Sequence, residues 1–210
     1  MNLIEFFTDA YKDTSWFVIS LEMLAFVFGI ASVYYAKKEN ILVYPTGLVA
    51  TCITVFLLYR AGYFGDMVVN FYYSVMSIYG WYIWSRPTVD NGILPISRTT
   101  KREKLIGLML FIVTIVVIFV VYRIFAQAIE VENYIDVFTS GIFFTAMYFM
   151  ALKKIENWTL WIVADIISIP LYAYRGLGIL SLQFLIFTIM AVQAYIEWKK
   201  TLDMPKMATK

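Results

Sequence analysis

Histidine is absent from this sequence, cysteine occurs only once, at Cys52, and few of the residues are charged. Without histidine the chain lacks the commonest metal ligand and the one side chain that ordinarily titrates near neutral pH. A single cysteine cannot form an intrachain disulfide. These absences weigh against a metal centre, a thiol cluster and a Ser-His-type catalytic triad, and the sequence gives no reason to expect a cofactor.

The shortage of charge is matched by an excess of apolar residues, since the chain is 61% hydrophobic and 15% charged, with a mean hydropathy of +0.74. An ordinary soluble domain is about 45–50% apolar and about 25% charged. The hydrocarbon core of a bilayer is about 30 Å thick and needs about 20 apolar residues per spanning helix. The composition therefore predicts an integral membrane protein.

Seven runs of the sequence are long and apolar enough to span a membrane. They are Trp16–Ala36, Ile41–Tyr59, Phe64–Trp84, Leu105–Tyr122, Tyr134–Leu152, Trp158–Tyr174 and Gly178–Trp198. Their connections are short, except for the polar stretch between Ser85 and Lys104. The predicted fold class is an all-α integral membrane protein with seven transmembrane helices.

The basic residues are divided unequally between the two ends of these spans. Four of the 17 lysines and arginines, Lys12, Arg60, Arg123 and Arg175, fall on the side of the amino terminus, and the remaining thirteen fall on the other side. Cytoplasmic loops carry the excess of basic residues in membrane proteins. The asymmetry predicts an amino terminus outside and a carboxyl terminus in the cytoplasm, in a bacterial inner membrane. The basic 98–104 segment is expected to meet lipid headgroups rather than nucleic acid.

The sequence also contains a faint internal repeat. The segment from Tyr59 to Trp84 aligns with that from Tyr174 to Trp198, since both open with Tyr-Arg and end in tryptophan. Upstream, the pair Lys37-Lys38 aligns with Lys153-Lys154. We therefore expect a single transmembrane domain, 1–210, of two parallel three-helix repeats, 16–84 and 134–198, joined by a linker helix, 105–122. Parallel repeats place a substrate site between the halves near the bilayer midplane.

The sixth predicted span carries the most informative motif, ENWTLWIVADIISIP. Trp158, Trp161 and Asp165 are three and four residues apart, so they lie on one face of a helix. A charge in the middle of a membrane is costly unless it is compensated. Two indoles beside a carboxylate suit a flat aromatic cation, through stacking and ion pairing. Alternatively, Trp158 belongs to an interfacial aromatic belt and Asp165 to a structural pair.

Polar residues in the third span point the same way. Asn70 and Ser77 are seven residues apart and share a face, which Trp81 extends by one more turn. These groups could instead hydrogen-bond between helices. An intramembrane enzyme would need a carboxylate pair, for which Asp66, Asp136 and Asp165 are the candidates. Their expected depths differ, and no metal-binding motif accompanies them, so we do not expect an enzyme.

Two segments, IYGWYIWSR at Ile78–Arg86 and ENWTLWIVADIIS at Glu156–Ser168, resemble the PnuC family of nicotinamide riboside transporters. The resemblance implies a 3+1+3 arrangement related to the SWEET fold and a homotrimer in which each protomer has its own path. It also implies uptake of a vitamin by facilitated diffusion, followed by trapping through phosphorylation in the cytoplasm.

By the same resemblance, Trp158 and Trp161 match the WxxW signature that encloses the substrate, and Trp81 with Tyr82 match the YGWY segment. The chain departs from the family where it carries Asp165 in place of a common asparagine, and Asn70 and Ser77 in place of glutamine and asparagine. These positions recognise an amide. The resemblance implies nicotinamide riboside as the substrate. Because the departures fall at these positions, thiamine, a flat aromatic cation carried by other family members, is the alternative.

Overall fold

The computed structural model describes residues 14–61, 64–87, 94–125 and 131–204, without the side chains of residues 61, 64–66 and 125. The predicted carboxylate of Asp66 thus lies outside the described part. Within the described residues the chain forms seven α-helices. They are α1 (Trp16–Lys37), α2 (Val43–Ala61), α3 (Phe64–Ser85), α4 (Lys101–Phe125), α5 (Val131–Ala151), α6 (Glu156–Tyr174) and α7 (Gly178–Asp203).

Each helix overlaps a predicted span, and the two largest differences are at the end of α7, five residues beyond the predicted Trp198, and at the start of α4. This helix begins at Lys101, four residues before the predicted span, because Thr100 and Glu103 cap it reciprocally. The Thr100 amide donates to Oε2 of Glu103 over 2.7 Å, and the Glu103 amide donates to Oγ1 of Thr100 over 3.2 Å. This capping box satisfies amides that the first turn leaves without partners.

The seven helices differ in polarity. By length and composition, α1, α2, α4, α5 and α7 are apolar enough to cross a membrane. Helices α3 and α6, with 22 and 19 residues, are not among these five over the residues that the structure describes. The sequence places the candidate binding residues on these two helices.

The helices pack mainly against their neighbours along the chain. Helix α2 packs against both α1 and α3, and α6 packs against both α5 and α7. Helix α3 also contacts α5, α1 contacts α7, and α4 lies mainly against α5. Most of α5 is therefore buried.

The turns after α1 and after α5 have the same backbone structure. Glu39 and Lys153 both have positive φ, at 54° and 50°. Each turn closes with the two amide-to-carbonyl bonds of a Schellman motif. The bonds are Glu39 to Ala36, Asn40 to Tyr35, Lys153 to Met150 and Lys154 to Phe149. Glu39 thus corresponds to Lys153, so the sequence alignment of Lys37-Lys38 with Lys153-Lys154 is displaced by two residues from the structural correspondence.

Candidate functional site

One face of α6 gathers polar side chains inside the bundle. Asn157, Trp158, Asp165 and Ser168 are buried, and Trp161 is half-buried. At 3.6 residues per turn these five positions fall within an arc of about 100°. The spacing that the sequence shows for Trp158, Trp161 and Asp165 therefore does place them together, facing the protein interior rather than lipid.

The polar atoms on this face lack protein partners. Seven buried side-chain nitrogen and oxygen atoms have no hydrogen-bond partner within the described residues, and five of the seven belong to α6. The five are Oδ1 of Asn157, Nε1 of Trp158, Nε1 of Trp161, Oδ1 of Asp165 and Oγ of Ser168. Buried polar atoms are nearly always paired, so a cluster of exceptions requires an explanation. The cluster offers N–H and O–H donors beside carboxylate and amide acceptors, which a polar ligand could satisfy together.

Asp165 is the most demanding member of the cluster, since its side chain is only 2% exposed. Ion pairs within the described residues involve other carboxylates, and neither a lysine nor an arginine bridges to Asp165. The alternative of a structural ion pair is therefore not what the described residues show. An unpaired buried carboxylate is costly, and a cationic ligand would offset that cost.

Aromatic rings from three other helices surround the α6 face. The Trp161 ring lies 5.4 Å from that of Phe143 on α5 and 6.0 Å from that of Tyr73 on α3, measured between centroids. The Trp158 ring meets Trp198 on α7 edge to face, at 5.4 Å and 87°. These neighbours hold both indoles in place and present faces on which a flat ring could stack.

The α3 residues lie at different distances from this face. Asn70 is half-buried and one turn from Tyr73, whose ring reaches Trp161. Ser77 is buried, but its hydroxyl oxygen is 3.7 Å from the position that a Cβ of Gly47 would occupy, so it points towards α2.

Trp81 and Tyr82 lie on the outer side of α3, 40% and 54% exposed. The Arg86 guanidinium stacks on the Tyr82 ring, 4.0 Å from its centroid. The buried face of α3 continues from Ser77 through Gly80 and Trp84 rather than through Trp81, which corrects the predicted extension of that face. Contact of Trp81 and Tyr82 with substrate stays a prediction.

Asp136 has a different setting from Asp165. Its Oδ2 receives an ion pair from Nη1 of Arg175 at 2.7 Å and a hydrogen bond from the Tyr122 hydroxyl at 3.1 Å. It therefore ties α4, α5 and the turn after α6 together. In the part of the chain that the structure describes, His, Cys, Asp and Glu side chains form no group of three that could hold a metal ion.

A cavity of about 260 Å³ opens elsewhere, between α4 and α5. It is lined by Lys104, Gly107, Leu108, Phe111, Phe138, Ile142, Thr145, Phe149 and Leu160. None of the seven predicted binding residues lines it, and its walls are almost wholly apolar. The unpartnered polar atoms on α6, rather than this cavity, mark the candidate site.

Sequence reasoning missed several residues of the cluster. Asn157 and Ser168 could have been found, because they are four residues before Trp161 and three after Asp165, on the same helical face. Tyr73, Phe143 and Trp198 carried no such signal, because aromatic residues are common throughout this chain and only the packing of α3, α5 and α7 selects these three.

Comparisons with known proteins bear on the whole chain. A family model described as nicotinamide mononucleotide transporter matches residues 19–200. The chain is 25% identical over 209 residues to the nicotinamide riboside transporter PnuC of Escherichia coli, with 89% of this chain and 86% of that protein covered. It is 27% identical over 198 residues to the protein of the same name from Haemophilus influenzae, with 91% and 83% covered. A solved structure, the crystal structure of the vitamin B3 transporter PnuC, matches with a TM-score of 0.69 and 24% identity, over 92% of this chain and 84% of that one.

Proposed function

Because the chain belongs to the PnuC family of transporters, we propose that it carries nicotinamide riboside, a vitamin B3 precursor, across the bacterial inner membrane. The resemblance seen in the sequence is confirmed at the level of the family. The family consists of membrane transporters rather than enzymes, and the apolar helices agree with a multi-pass inner-membrane protein.

The observation that carries the proposal is the set of unpartnered polar atoms on α6. Nicotinamide riboside joins a flat, positively charged pyridinium to a polar sugar and a carboxamide. Trp158 and Trp161 would stack on the ring, and Asp165 would offset its charge. Asn157 and Ser168 lie on the same face and would meet the polar substituents. Each ligand group would satisfy a protein atom that otherwise lacks a partner.

Asn70 and Ser77 complete the proposed substrate contacts on α3, together with Trp81 and Tyr82. Asn70 has the better support, since it is one turn from a ring that touches Trp161. Ser77, Trp81 and Tyr82 would need a different arrangement of α3 to reach the ligand, such as one adopted during transport.

Transport would proceed by facilitated diffusion, with phosphorylation of the vitamin in the cytoplasm drawing uptake forward. The absence of histidine favours movement without proton coupling, which leaves the buried carboxylate of Asp165 as the candidate proton carrier if coupling occurs. The division of basic residues supports an amino terminus outside and a carboxyl terminus in the cytoplasm.

For the architecture we propose two parallel three-helix repeats, 16–84 and 134–198, with 105–122 as the linker helix of one transmembrane domain, 1–210. The support is the packing of α1 to α3 and of α5 to α7 as two groups, and the matching turns at Glu39 and Lys153. We also propose a homotrimer, in which the exposed apolar side chains of α4 would be covered by neighbouring protomers or lipid.

Thiamine is the second candidate substrate. Asp165 favours a cationic ring of either kind, whereas Ser77 points towards α2 and gives a carboxamide little support. A thiazolium ring could use the same carboxylate and indoles.

Ligand titration of the purified protein, followed by tryptophan fluorescence, tests these proposals. The chain has six tryptophans, and two lie at the proposed site. We expect nicotinamide riboside to quench the signal at lower concentrations than thiamine. Asp165→Asn should weaken binding about ten-fold or more, as expected for loss of a charge-assisted contact.

Asp203→Asn is the matched control, because Asp203 is exposed at the end of α7. This variant should bind vitamin as the unmodified protein does. Tighter binding of thiamine than of nicotinamide riboside would make thiamine the preferred substrate. Unchanged binding of both vitamins by Asp165→Asn would exclude Asp165 as the counter-ion, and no binding of either vitamin by the unmodified protein would contradict the transport proposal.

A further inference from the structure

Two tryptophans make equivalent hydrogen bonds between the halves of the bundle. Nε1 of Trp84, at the end of α3, donates to the carbonyl of Ala151 at the end of α5, over 3.2 Å. Nε1 of Trp198, on α7, donates to the carbonyl of Lys37 at the end of α1, over 3.3 Å. The two donors are 114 residues apart in the sequence, and so are the two acceptors. Glu39 and Lys153 are separated by the same number of residues. Each half therefore holds the other through the same contact.

The rings of these tryptophans are also packed equivalently. Trp84 meets Tyr44 edge to face, with centroids 5.1 Å apart and planes at 87°. Trp198 meets Trp158 at 5.4 Å and 87°. Tyr44 and Trp158 are also 114 residues apart. The two tryptophans therefore have equivalent ring partners, a phenol in one half and an indole in the other.

An ion pair joins Glu39 and Lys153, which occupy corresponding turns in the two halves. Nζ of Lys153 lies 3.2 Å from Oε2 of Glu39, and the Lys153 side chain is 0% exposed. The same Nζ lies 4.3 Å from the centroid of the Trp84 ring. Because Glu39 and Lys153 occupy corresponding turns, their contact crosses the place where the halves meet.

All three contacts lie at the basic end of the bundle. At the other end, the ion pair of Asp136 and Arg175 joins α5 to the turn after α6, within one half. Within the described residues, which do not include 62–63 and 126–130 at the other end, these three contacts between the groups of helices lie at the end that the positive-inside rule assigns to the cytoplasm.

We propose that the Glu39–Lys153 ion pair and the bonds from Trp84 and Trp198 form a cytoplasmic latch that must open before substrate can leave the site. The inference rests on the proposed transport function and on the proposed orientation. Separation of the two halves at this end breaks all three contacts, since each one crosses between the halves.

The latch is joined to the candidate site through Trp198. Its ring packs against Trp158, whose indole N–H is one of the unpartnered atoms on α6. A ligand that moves Trp158 also moves the ring whose N–H holds Lys37. Trp84 packs instead against Tyr44, which contacts Gly80 of the first half.

Cross-linking tests whether the latch has to open. Cys52→Ser removes the one native thiol, and Glu39→Cys with Lys153→Cys then places two thiols at the ion pair. A short bis-methanethiosulfonate reagent should join them and reduce nicotinamide riboside uptake by proteoliposomes to background, and a reducing agent should restore it. The single-cysteine proteins treated in the same way should keep their uptake.

Retained uptake by the cross-linked protein would show that these turns are a fixed pivot and overturn the latch. Vitamin binding, measured by tryptophan fluorescence before cross-linking, distinguishes failure of the latch from failure of the proposed transport function. A protein that binds vitamin but transports freely when cross-linked contradicts only the latch, whereas one that binds no vitamin contradicts the proposed function.

Substitution of the indoles gives a second test that does not need a cross-link. Trp84→Phe and Trp198→Phe each keep a ring but lose one N–H. A reporter thiol at the buried Ile155, introduced as Ile155→Cys with Cys52→Ser, should then react about three- to ten-fold faster with an impermeant maleimide in inverted vesicles, as expected for loss of one hydrogen bond. Trp16→Phe, at an exposed position, should leave the rate unchanged. Equal rates in all four proteins would contradict the latch.

Discussion

Ser168 carries a buried hydroxyl that has no partner within the described residues. Such a group costs the folded protein roughly 1–3 kcal/mol. Ser168→Ala should therefore keep or raise the stability of the ligand-free protein, by up to about 1 kcal/mol, while weakening vitamin binding about five-fold. Thermal unfolding in detergent and fluorescence titration measure the two effects.

Ser181 provides the matched control. Its hydroxyl is also buried, but it donates to the carbonyl of Ile169 over 2.9 Å. Ser181→Ala should lose about 1 kcal/mol of stability and leave binding unchanged. If both variants lost stability and kept affinity, Ser168 would have a structural rather than a ligand-binding role.

Lys153 gives the protein a dependence on pH. Burial lowers the pKa of this amine from its ordinary value of 10.5, and the Glu39 carboxylate only partly offsets that effect. Because the folded pKa lies below the unfolded one, the unfolded chain binds more protons between the two values. The free energy of unfolding should therefore rise with pH from the lowered pKa up to 10.5, as the buried amine loses its charge.

Chemical unfolding in detergent at neutral and alkaline pH measures this contribution. Lys153→Met should remove the rise, and Glu39→Gln should move its start to lower pH, because the charge that favours protonation is gone. If the free energy of unfolding of Lys153→Met rose with pH by the same amount, the rise would come from other titrating groups.

At the level of the helices, the apolar runs predicted each element and most of its bounds, but they could not predict which side of α3 is buried. Trp81 is 40° around the helix from Ser77 in one direction, and Trp84 is 20° away in the other, by about 100° per residue. Both are tryptophans near polar neighbours. The choice depends on Tyr44, which packs against the backbone at Gly80, and that contact between α2 and α3 has no signal in the spacing.

Gly80 is where this contact can be tested. A Cβ at Gly80 would overlap Cε1 of Tyr44 and lie 2.6 Å from its hydroxyl oxygen. Gly80→Ala should therefore force α2 and α3 apart and cost about 1–3 kcal/mol, as overpacking does in other cores. The midpoint of thermal unfolding in detergent measures the loss.

Gly29 is the control for the change of residue type. A Cβ at that position in α1 would meet Phe187 at an ordinary 3.4 Å. Gly29→Ala should be neutral or gain up to about 1 kcal/mol, because alanine favours the helix more than glycine does. Equal stability of the two variants would mean that Tyr44 can move away from Gly80 without cost.

At the level of the whole molecule, the aligned segments indicate a repeat but only part of its register. The tryptophans that end them, Trp84 and Trp198, are 114 residues apart, as Glu39 and Lys153 are, whereas the Tyr-Arg dipeptides are 115 apart and the basic pairs 116. A positive φ at two charged residues cannot be read from composition. The partners of Trp84 and Trp198 are backbone carbonyls of the other half, which leave no pattern in side-chain type.

The orientation of the molecule follows from charge, and it decides which end the latch closes. Thirteen of the 17 basic residues fall at one end of the predicted spans, so this end should stay in the cytoplasm. A green fluorescent protein fused after residue 210 should therefore fluoresce, and alkaline phosphatase at the same place should be inactive. Fusion after Arg175, at the opposite end, should give the reverse result and serves as the control. Active phosphatase at residue 210 would place the carboxyl terminus outside and would make the contacts of Glu39, Trp84 and Trp198 an outer latch.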